Sequence, residues 1–326
     1  MRVLSLFDGI SCGRVALERA GIPVDVYYAS EIDKYAISVA QAMYPDTVQI
    51  GDVCKIDFTQ YIDKIDIIIG GSPCQDLSIA KQNRQGLQGE RSRLFWEYIK
   101  ALTIIKPKYF LLENVASMKK EDRDAITSVL RGIYPETECI MINSALVSAQ
   151  QRKRYYWTNW HVEQPQDKGI LLKDILEDSA DSIGTAMRTH EDENGKFKRL
   201  EVNGQEKSNC LTSVQTDSMV LKPVRIGYIG KGGQGERIYH VEGKSVSLSA
   251  NGGGRGAKTG LYKVDLPDGD YVVRKLTPRE CARLQTYPEQ CFDVVNISNT
   301  QWYKAFGNGW TVDVIAHIFK GLKNGD

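Results

Sequence analysis

A thiol, a carboxylate and two guanidinium groups stand where a nucleophilic mechanism would need them. The stretch Asp66-Ile-Ile-Ile-Gly-Gly-Ser-Pro-Cys-Gln-Asp-Leu-Ser78 opens with three consecutive isoleucines. Short, β-branched and bounded by turn residues, they predict a buried strand. Two glycines and Pro73 end that strand and leave Cys74 at its carboxyl end, followed by polar Gln75, Asp76 and Ser78. A thiol so placed can act as a nucleophile; the alternative is a small apolar cysteine packed in a core. Tyr109–Leu112 predicts another strand, which brings Glu113 of Glu113-Asn114-Val115 to the same sheet edge, one strand over. Arg152 and Arg154 alternate in Gln150-Gln-Arg-Lys-Arg154 ahead of an aromatic strand over 155–160. On an extended segment they point the same way and can work together, unless they are only a solvated strand end.

A second set of residues could hold a cofactor. Residues 3–7 predict a strand, followed by the turn Asp8-Gly-Ile-Ser-Cys-Gly13 and a helix from Arg14. Glycines there let the backbone approach a ligand at the helix N-terminus. The spacing is not G-x-G-x-x-G, and Asp8 would repel a pyrophosphate, so a cofactor carrying a cation and no phosphate suits it better. Glu31 ends the strand predicted over 24–30, where an acid can accept from both ribose hydroxyls. Asp52 follows a short strand at 48–50, within reach of an adenine amino group. Taken alone, either acid is better explained as a helix N-cap. Two of them at successive strand ends beside a glycine turn favour the cofactor.

These residues need a parallel α/β sheet to gather them, and the chain alternates accordingly. Helices are expected over 34–43, 93–104 and 122–133, a strand over 138–143, and an amphipathic helix over 168–178 that closes the unit. The polar loop 76–90 lies where it could cover the site. Beyond residue 181 the character changes: residues 181–221 are polar and poorly periodic, and 11 glycines fall among the 34 residues from Gly227 to Gly260. Interleaved with β-type runs at 237–240 and 245–248, they suit a small loop-rich domain that presses backbone against a ligand. Thr277, Pro278 and Glu280 start a helix running to Gln285. Phe306-Gly-Asn-Gly-Trp-Thr-Val312 reads as a second glycine turn before a helix to Leu322. The expected division is a catalytic, cofactor-binding domain over 1–180, a recognition domain and hinge over 181–290, and a segment over 291–326 that returns to the first.

With 326 residues, 42% hydrophobic and 25% charged, the chain has the composition of a globular protein with a sizeable core. No apolar run reaches the ~18–20 residues that would span a bilayer, and no signal-peptide pattern is read, so a cytoplasmic location without membrane partners is expected. Seven cysteines without a C-x-x-C pair argue against a disulfide framework and a structural zinc. Net charge is +1, unevenly spread: Lys222–Arg283 carries +6 and the remainder −5. A basic segment on an acidic body fits attraction to phosphate backbones.

In this order, the pieces resemble the DNA cytosine-C5 methyltransferase family over nearly the whole chain. Leu6-Phe7-Asp8-Gly9 through Gly13 resembles its S-adenosylmethionine turn, Pro73-Cys74-Gln75 its nucleophile motif and Glu113-Asn114-Val115 its Glu-Asn-Val motif. Gln150, Arg152 and Arg154 match Gln-x-Arg-x-Arg, Leu276–Gln285 is similar to the hinge-side helix, and Gly307-Asn308 to the last motif. Two departures, Ser72 in place of the common proline and Asp8 in place of Ala or Ser, resemble the catalytic domain of the animal de novo enzymes. The glycine-rich segment instead resembles small bacterial restriction–modification or phage enzymes.

The resemblance implies a Rossmann-like α/β fold with a second, smaller domain. It also implies methyl transfer from S-adenosylmethionine, yielding S-adenosylhomocysteine, to C5 of a flipped cytosine in double-stranded DNA, with no metal. Cys74 would attack C6, Glu113 hold N3 and N4, Arg154 bind O2, and Arg152 orient Arg154 and Cys74. Phe7, Asp8, Gly9, Ile10, Gly13, Glu31, Ile32, Asp52, Val53, Pro73, Asn308 and Trp310 would form the cofactor site. Gln234, Arg237, Asn251, Gly252, Gly253 and Lys258 would contact DNA, at a short GC-rich palindrome. A monomer is expected, with a cognate endonuclease in the same system. The other readings are an RNA cytosine-C5 methyltransferase of the same fold and a catalytically silent DNA-binding homologue.

Overall fold

Short apolar runs become seven strands because their side chains can be buried on both faces of one sheet. The computed structural model describes residues 1–72, 93–177, 185–192, 195–202, 225–228, 237–245, 247–248, 261–265, 271–274 and 276–323. The strands are β1 (Arg2–Leu6), β2 (Val26–Ser30), β3 (Val48–Gln49), β4 (Ile67–Gly71), β5 (Tyr109–Val115), β6 (Glu138–Asn143) and β7 (Lys153–Thr158). Their order is β3-β2-β1-β4-β5-β7-β6. From β3 to β5 all neighbours are parallel, whereas β7 runs antiparallel to both β5 and β6.

Alternation along the strands sorts side chains between two buried clusters. Val3, Ile67 and Ile69 face the one built with α1 (Cys12–Arg19), while Leu4, Leu6 and Ile68 face the one built with α3 (Arg93–Ile105) and α4 (Lys120–Arg131). The chain leaves β1 towards β2, through α2 (Lys34–Met43) to β3, then returns across β1 to β4. That reversal opens a crevice at the carboxyl ends of β1 and β4.

The C-terminal segment packs back onto this body. The capping box expected at Thr277 forms with Glu280 and, with Pro278 at the first position, starts α5 (Pro278–Leu284). After the short α6 (Cys291–Val294) come α7 (Asn299–Asn308) and α8 (Val312–Lys320), and α8 lies against α1. Gly307 and Asn308, expected in a turn, are instead the last residues of α7.

Two other expectations require correction. The amphipathic helix over 168–178 is absent, and a single short 3-10 turn, Leu172–Ile175, stands in its place. The N–H groups of Lys168, Leu172 and Lys173 donate to the carbonyls of Leu146, Gly243 and Val241, which leaves them unable to build a helix. The stretch read as poorly periodic contains a hairpin, β8 (Thr185–Asp192) and β9 (Gly195–Val202), in continuous antiparallel register. A second sheet has the order β10 (Arg225–Tyr228), β11 (Arg237–Tyr239), β12 (Leu261–Asp265), β13 (Tyr271–Arg274). Among the described residues of 245–248, pairing is limited to one bridge between Ser245 and Gln150.

Candidate active site

A cavity of about 370 Å³ occupies the crevice. Phe7, Asp8, Gly9 and Ile10 follow β1; Glu31 and Ile32 follow β2; Asp52 and Val53 follow β3; Gly71 and Ser72 end β4; and Glu113 and Val115 end β5. Because β7 runs against β5, its first residues reach the same edge, with Arg154 opposite Val115. On the far side Gln301, Lys304, Ala305 and Asn308 share one face of α7, at i, i+3, i+4 and i+7, and form a wall with Gly309 and Trp310.

At the end of the cavity lined by β1, β2 and β3, each acid already has backbone partners. Glu31 accepts from the N–H groups of Gly9 at 2.8 Å, Ile32 at 2.7 Å and Asp33 at 2.9 Å. Asp52 accepts from the N–H of Cys54 and thereby caps a short 3-10 turn, so the capping reading and the cavity-facing reading hold together. Asp33 caps α2 and forms an ion pair with Lys304 of α7, which ties the two cavity walls together. Ile32, 76% exposed, is an open apolar side of the cavity.

Asp8 is buried, and its carboxylate accepts from the hydroxyls of Ser11 and Tyr27. Burial pushes this carboxyl up to about 6, against the opposing pull of the hydroxyl donors Ser11, Ser5 and Tyr27. Gly13 does not line the cavity. It lets α1 lie close to the sheet, since a Cβ there would come within 2.4 Å of Ile69 Cδ1 and 3.1 Å of the Tyr27 hydroxyl.

At the other end, the Arg154 Nε forms an ion pair with Glu113 Oε1 at 2.9 Å, and both side chains are largely buried. The Trp310 indole N–H donates to Glu113 Oε2 at 3.3 Å. Glycine is required at position 71, because a Cβ there would lie 2.8 Å from both Glu113 Oε2 and Trp310 Nε1. Asn114 Nδ2 reaches Ser72 Oγ at 3.4 Å and so ties the end of β5 to the end of β4.

Arg152 also lines the cavity, but its guanidinium is spent on the surrounding chain. It donates to Ser247 Oγ and the Leu248 carbonyl on one side and to the carbonyls of Gly307 and Gly309 on the other. Burial, and after it the nearby charge of Arg154, lowers its proton affinity to about 9. Arg152 thus clamps the 247–248 segment to the wall at Gly307 and Gly309.

Three further residues serve the same framework: Gln150 and Gln285, which the sequence placed in motifs without giving them these contacts, and Lys244, which it did not single out. Gln285 donates to the carbonyls of Phe306 and Gly309 and accepts from Thr311 Oγ1. Gln150 donates to the Leu284 carbonyl and accepts from the Leu248 N–H. Lys244 is buried and donates to the carbonyls of Ala145, Ser148 and Ile170. Only the spacing of Gln301, Lys304 and Asn308 carried a sequence signal; the other partners lie tens to hundreds of residues apart.

Pro73, Cys74, Gln234, Asn251, Gly252, Gly253 and Lys258 lie outside the described residues, and Arg237 is described only as the first residue of β11. Among the described residues, no cluster of three or more His, Cys, Asp or Glu could hold a metal ion. None of their helices is long and apolar enough to cross a membrane.

Comparison with known proteins gives the family and the fold. The type II methyltransferase M.HhaI of Haemophilus parahaemolyticus is 30% identical over 333 residues, covering 98% of this chain and 93% of that protein. The orphan methyltransferase M.SPRI of Bacillus phage SPR is 25% identical and covers 99% and 97%. Among solved structures, the S. pombe Dnmt2 methyltransferase superposes with a TM-score of 0.66 at 17% identity, covering 99% of each chain. The Entamoeba histolytica methyltransferase EhMeth gives 0.68 at 16% identity, covering 99% and 98%. The model of the C-5 cytosine-specific DNA methylases matches residues 1–324, and the chain therefore belongs to that family, the DNA cytosine-5 methyltransferases.

Proposed function

We propose that this chain methylates C5 of a flipped-out cytosine in duplex DNA through a covalent Cys74 adduct, with S-adenosylmethionine as cofactor. The observation that carries the reading is the Glu113–Arg154 pair at the rim of a cavity whose other end is lined by Glu31 and Asp52. A cytosine ring presents N3 and the N4 amino group on one edge and O2 beside them, and a carboxyl next to a guanidinium matches that edge.

The cavity fits the cofactor. Phe7, Ile32, Val53 and Leu94 offer apolar surface for a purine. Three N–H groups occupy the Glu31 carboxylate, which has about four lone-pair sites, so capacity remains for a ribose hydroxyl. Asp52 would accept from the adenine amino group, and Asp8, Gly9, Ile10, Asn308 and Trp310 would enclose the remainder. When bound, S-adenosylmethionine supplies an electrophilic methyl group and leaves as S-adenosylhomocysteine.

The chain's own residues prepare the base to receive it. The Cys74 thiolate adds to C6, and the electron pair of the C5–C6 double bond makes C5 nucleophilic. Glu113 holds N3 and the N4 amino group and shares a proton with N3 as charge develops on the ring, while Arg154 holds O2. Removal of the C5 proton by a base lets the thiolate leave. A thiol cannot reach C6 inside a base stack, so the target must leave the duplex. Residues 181–290 would form the recognition domain, with Gln234, Arg237, Asn251, Gly252, Gly253 and Lys258 at the DNA. The setting would be restriction–modification or phage self-protection, with a monomeric enzyme and, in the first case, a cognate endonuclease.

Radiolabelled methyl transfer to plasmid DNA and to tRNA, with Cys74→Ser as control, tests the reading. Label in DNA that is lost with Cys74→Ser supports it. Label in tRNA alone would move the substrate to RNA, and label retained by Cys74→Ser would remove the covalent step.

A further inference from the structure

Trp310 makes two contacts of different kinds at the cavity. Its ring lines the cavity, and its N–H donates to Glu113 Oε2 at 3.3 Å. The other oxygen of that carboxylate is held by Arg154 at 2.9 Å. An ion pair on one oxygen and a hydrogen bond on the other together set the plane of the carboxyl. Arg154 alone would leave it free to swing about its side-chain torsions.

The surrounding chain is built to hold the indole there. The carbonyl of Gly309, just before it, accepts from Arg152 at 3.0 Å and from Gln285 at 3.3 Å. The hydroxyl of Thr311, just after it, donates to Gln285 at 2.8 Å and accepts from Ser144 at 2.8 Å. Both flanks of Trp310 are therefore anchored by buried polar side chains. Gly71 leaves the space in which indole and carboxylate meet, and Gly13 packs close to the ring, where a Cβ would lie 3.4 Å from Trp310 Cζ3. One close approach, at Gly71, and four hydrogen bonds on its two neighbours thus hold the indole against the carboxylate.

We propose that Trp310 is a positioning residue for Glu113, orienting its carboxyl towards the flipped base independently of any contact with cofactor. The proposal rests on the reading of Glu113 given above. Groups that must meet a reacting base work only when held to within a fraction of an ångström. A removed donor therefore slows the step in which Glu113 engages the ring, while the aromatic face that Trp310 presents to the cavity is a separate contact that phenylalanine keeps.

The experiment isolates that step by omitting the cofactor. Once the thiolate has added to C6, C5 accepts a proton from water. Loss of the original C5 hydrogen and elimination of the thiolate then return cytosine with solvent hydrogen at C5. Plasmid DNA amplified with [5-³H]dCTP releases tritium to water by this route, with wild type, Cys74→Ser, Glu113→Gln and Trp310→Phe compared. Phenylalanine keeps an aromatic face and lacks the N–H.

The expected result is exchange by the wild type and a fall of about tenfold or more in Trp310→Phe, the size of one hydrogen bond to a charged group. Calorimetric affinity for S-adenosylhomocysteine should stay within about twofold, a span well under the tenfold that 1.4 kcal/mol represents. Gly71→Ala, which keeps the indole but crowds the contact, should slow exchange likewise. Wild-type exchange in Trp310→Phe beside a dead Glu113→Gln would overturn the proposal. So would a parallel loss of exchange, S-adenosylhomocysteine affinity and near-ultraviolet dichroism, which marks a merely structural role. Equal exchange by wild type and Cys74→Ser would instead bring down the covalent reading itself, and this proposal with it.

Discussion

Two buried carboxylates, Glu113 and Asp8, line the same cavity with different partners. Glu113 faces a guanidinium, whereas Asp8 has only hydroxyl donors, so burial holds the Asp8 carboxyl up to about 6. An unfolded aspartate titrates near 4. Between about 4 and 6 the folded protein keeps a proton that the unfolded chain has lost, and the native state loses stability as pH rises through that window. Above it the full penalty stands, on the order of 3 kcal/mol. Asp8→Asn has no such titration, so its stability relative to wild type should grow from pH 4 to pH 6 and then stay level. Urea unfolding at pH 4.5 and 7.5 measures this, and an equal difference at both would show that Asp8 is ionised throughout. Glu113→Gln preserves shape and an acceptor but leaves the Arg154 charge uncompensated, at a cost on the order of 3 kcal/mol. The protein should still fold, with turnover down about a hundredfold or more; a variant without native dichroism would make Glu113 structural. The sequence showed Glu113 and Arg154 because each follows from its own strand. It did not show the indole N–H on Glu113, because that contact joins residues 113 and 310 through a loop whose course depends on Gln285 and Arg152.

Strand ends were the most legible elements. Each strand from β1 to β5 delivers its last residue or those just after it to the cavity, because an apolar β-branched run followed by Gly, Asp or Glu leaves few other geometries. The helix over 168–178 failed for a reason that no local pattern contains, as its N–H groups serve carbonyls at 146, 241 and 243. The hairpin β8–β9 escaped notice because its strands pair only with each other and carry little apolar alternation. Helix α7 was missed as an element, yet one of its faces makes the cavity's far wall, fastened to the β2–α2 turn by the Lys304–Asp33 ion pair. Lys304 is half exposed, so Lys304→Met should change stability by less than about 1 kcal/mol. The same change should unfasten the wall and speed release of S-adenosylhomocysteine. Stopped-flow fluorescence of Trp310 would follow that release; an unchanged dissociation rate would show that the wall holds by packing alone.

At the scale of the whole molecule, the uneven charge sets how the protein would meet DNA. The +6 carried by Lys222–Arg283 against −5 elsewhere places attraction to phosphate in the glycine-rich segment. Attraction of that kind is blind to sequence and steep in salt, so base choice needs separate groups. Arg237, which falls within the glycine-rich sequence run Gly230–Tyr239, opens β11 in the four-stranded sheet. An arginine on guanine O6 and N7 contributes ~1–3 kcal/mol of discrimination. Arg237→Ala should therefore relax the methylated motif at one guanine and leave the salt slope of binding nearly unchanged. Lys258→Ala should do the reverse, lowering affinity for all sequences and reducing the slope by about one. Bisulfite sequencing of plasmid from cells expressing each variant reads the motif, and binding isotherms at several salt concentrations read the slope. An Arg237→Ala enzyme that methylates the wild-type motif alone would take Arg237 out of base readout. Base choice would then fall to Gln234, which could fill the gap left by the flipped cytosine and pair with its orphaned guanine.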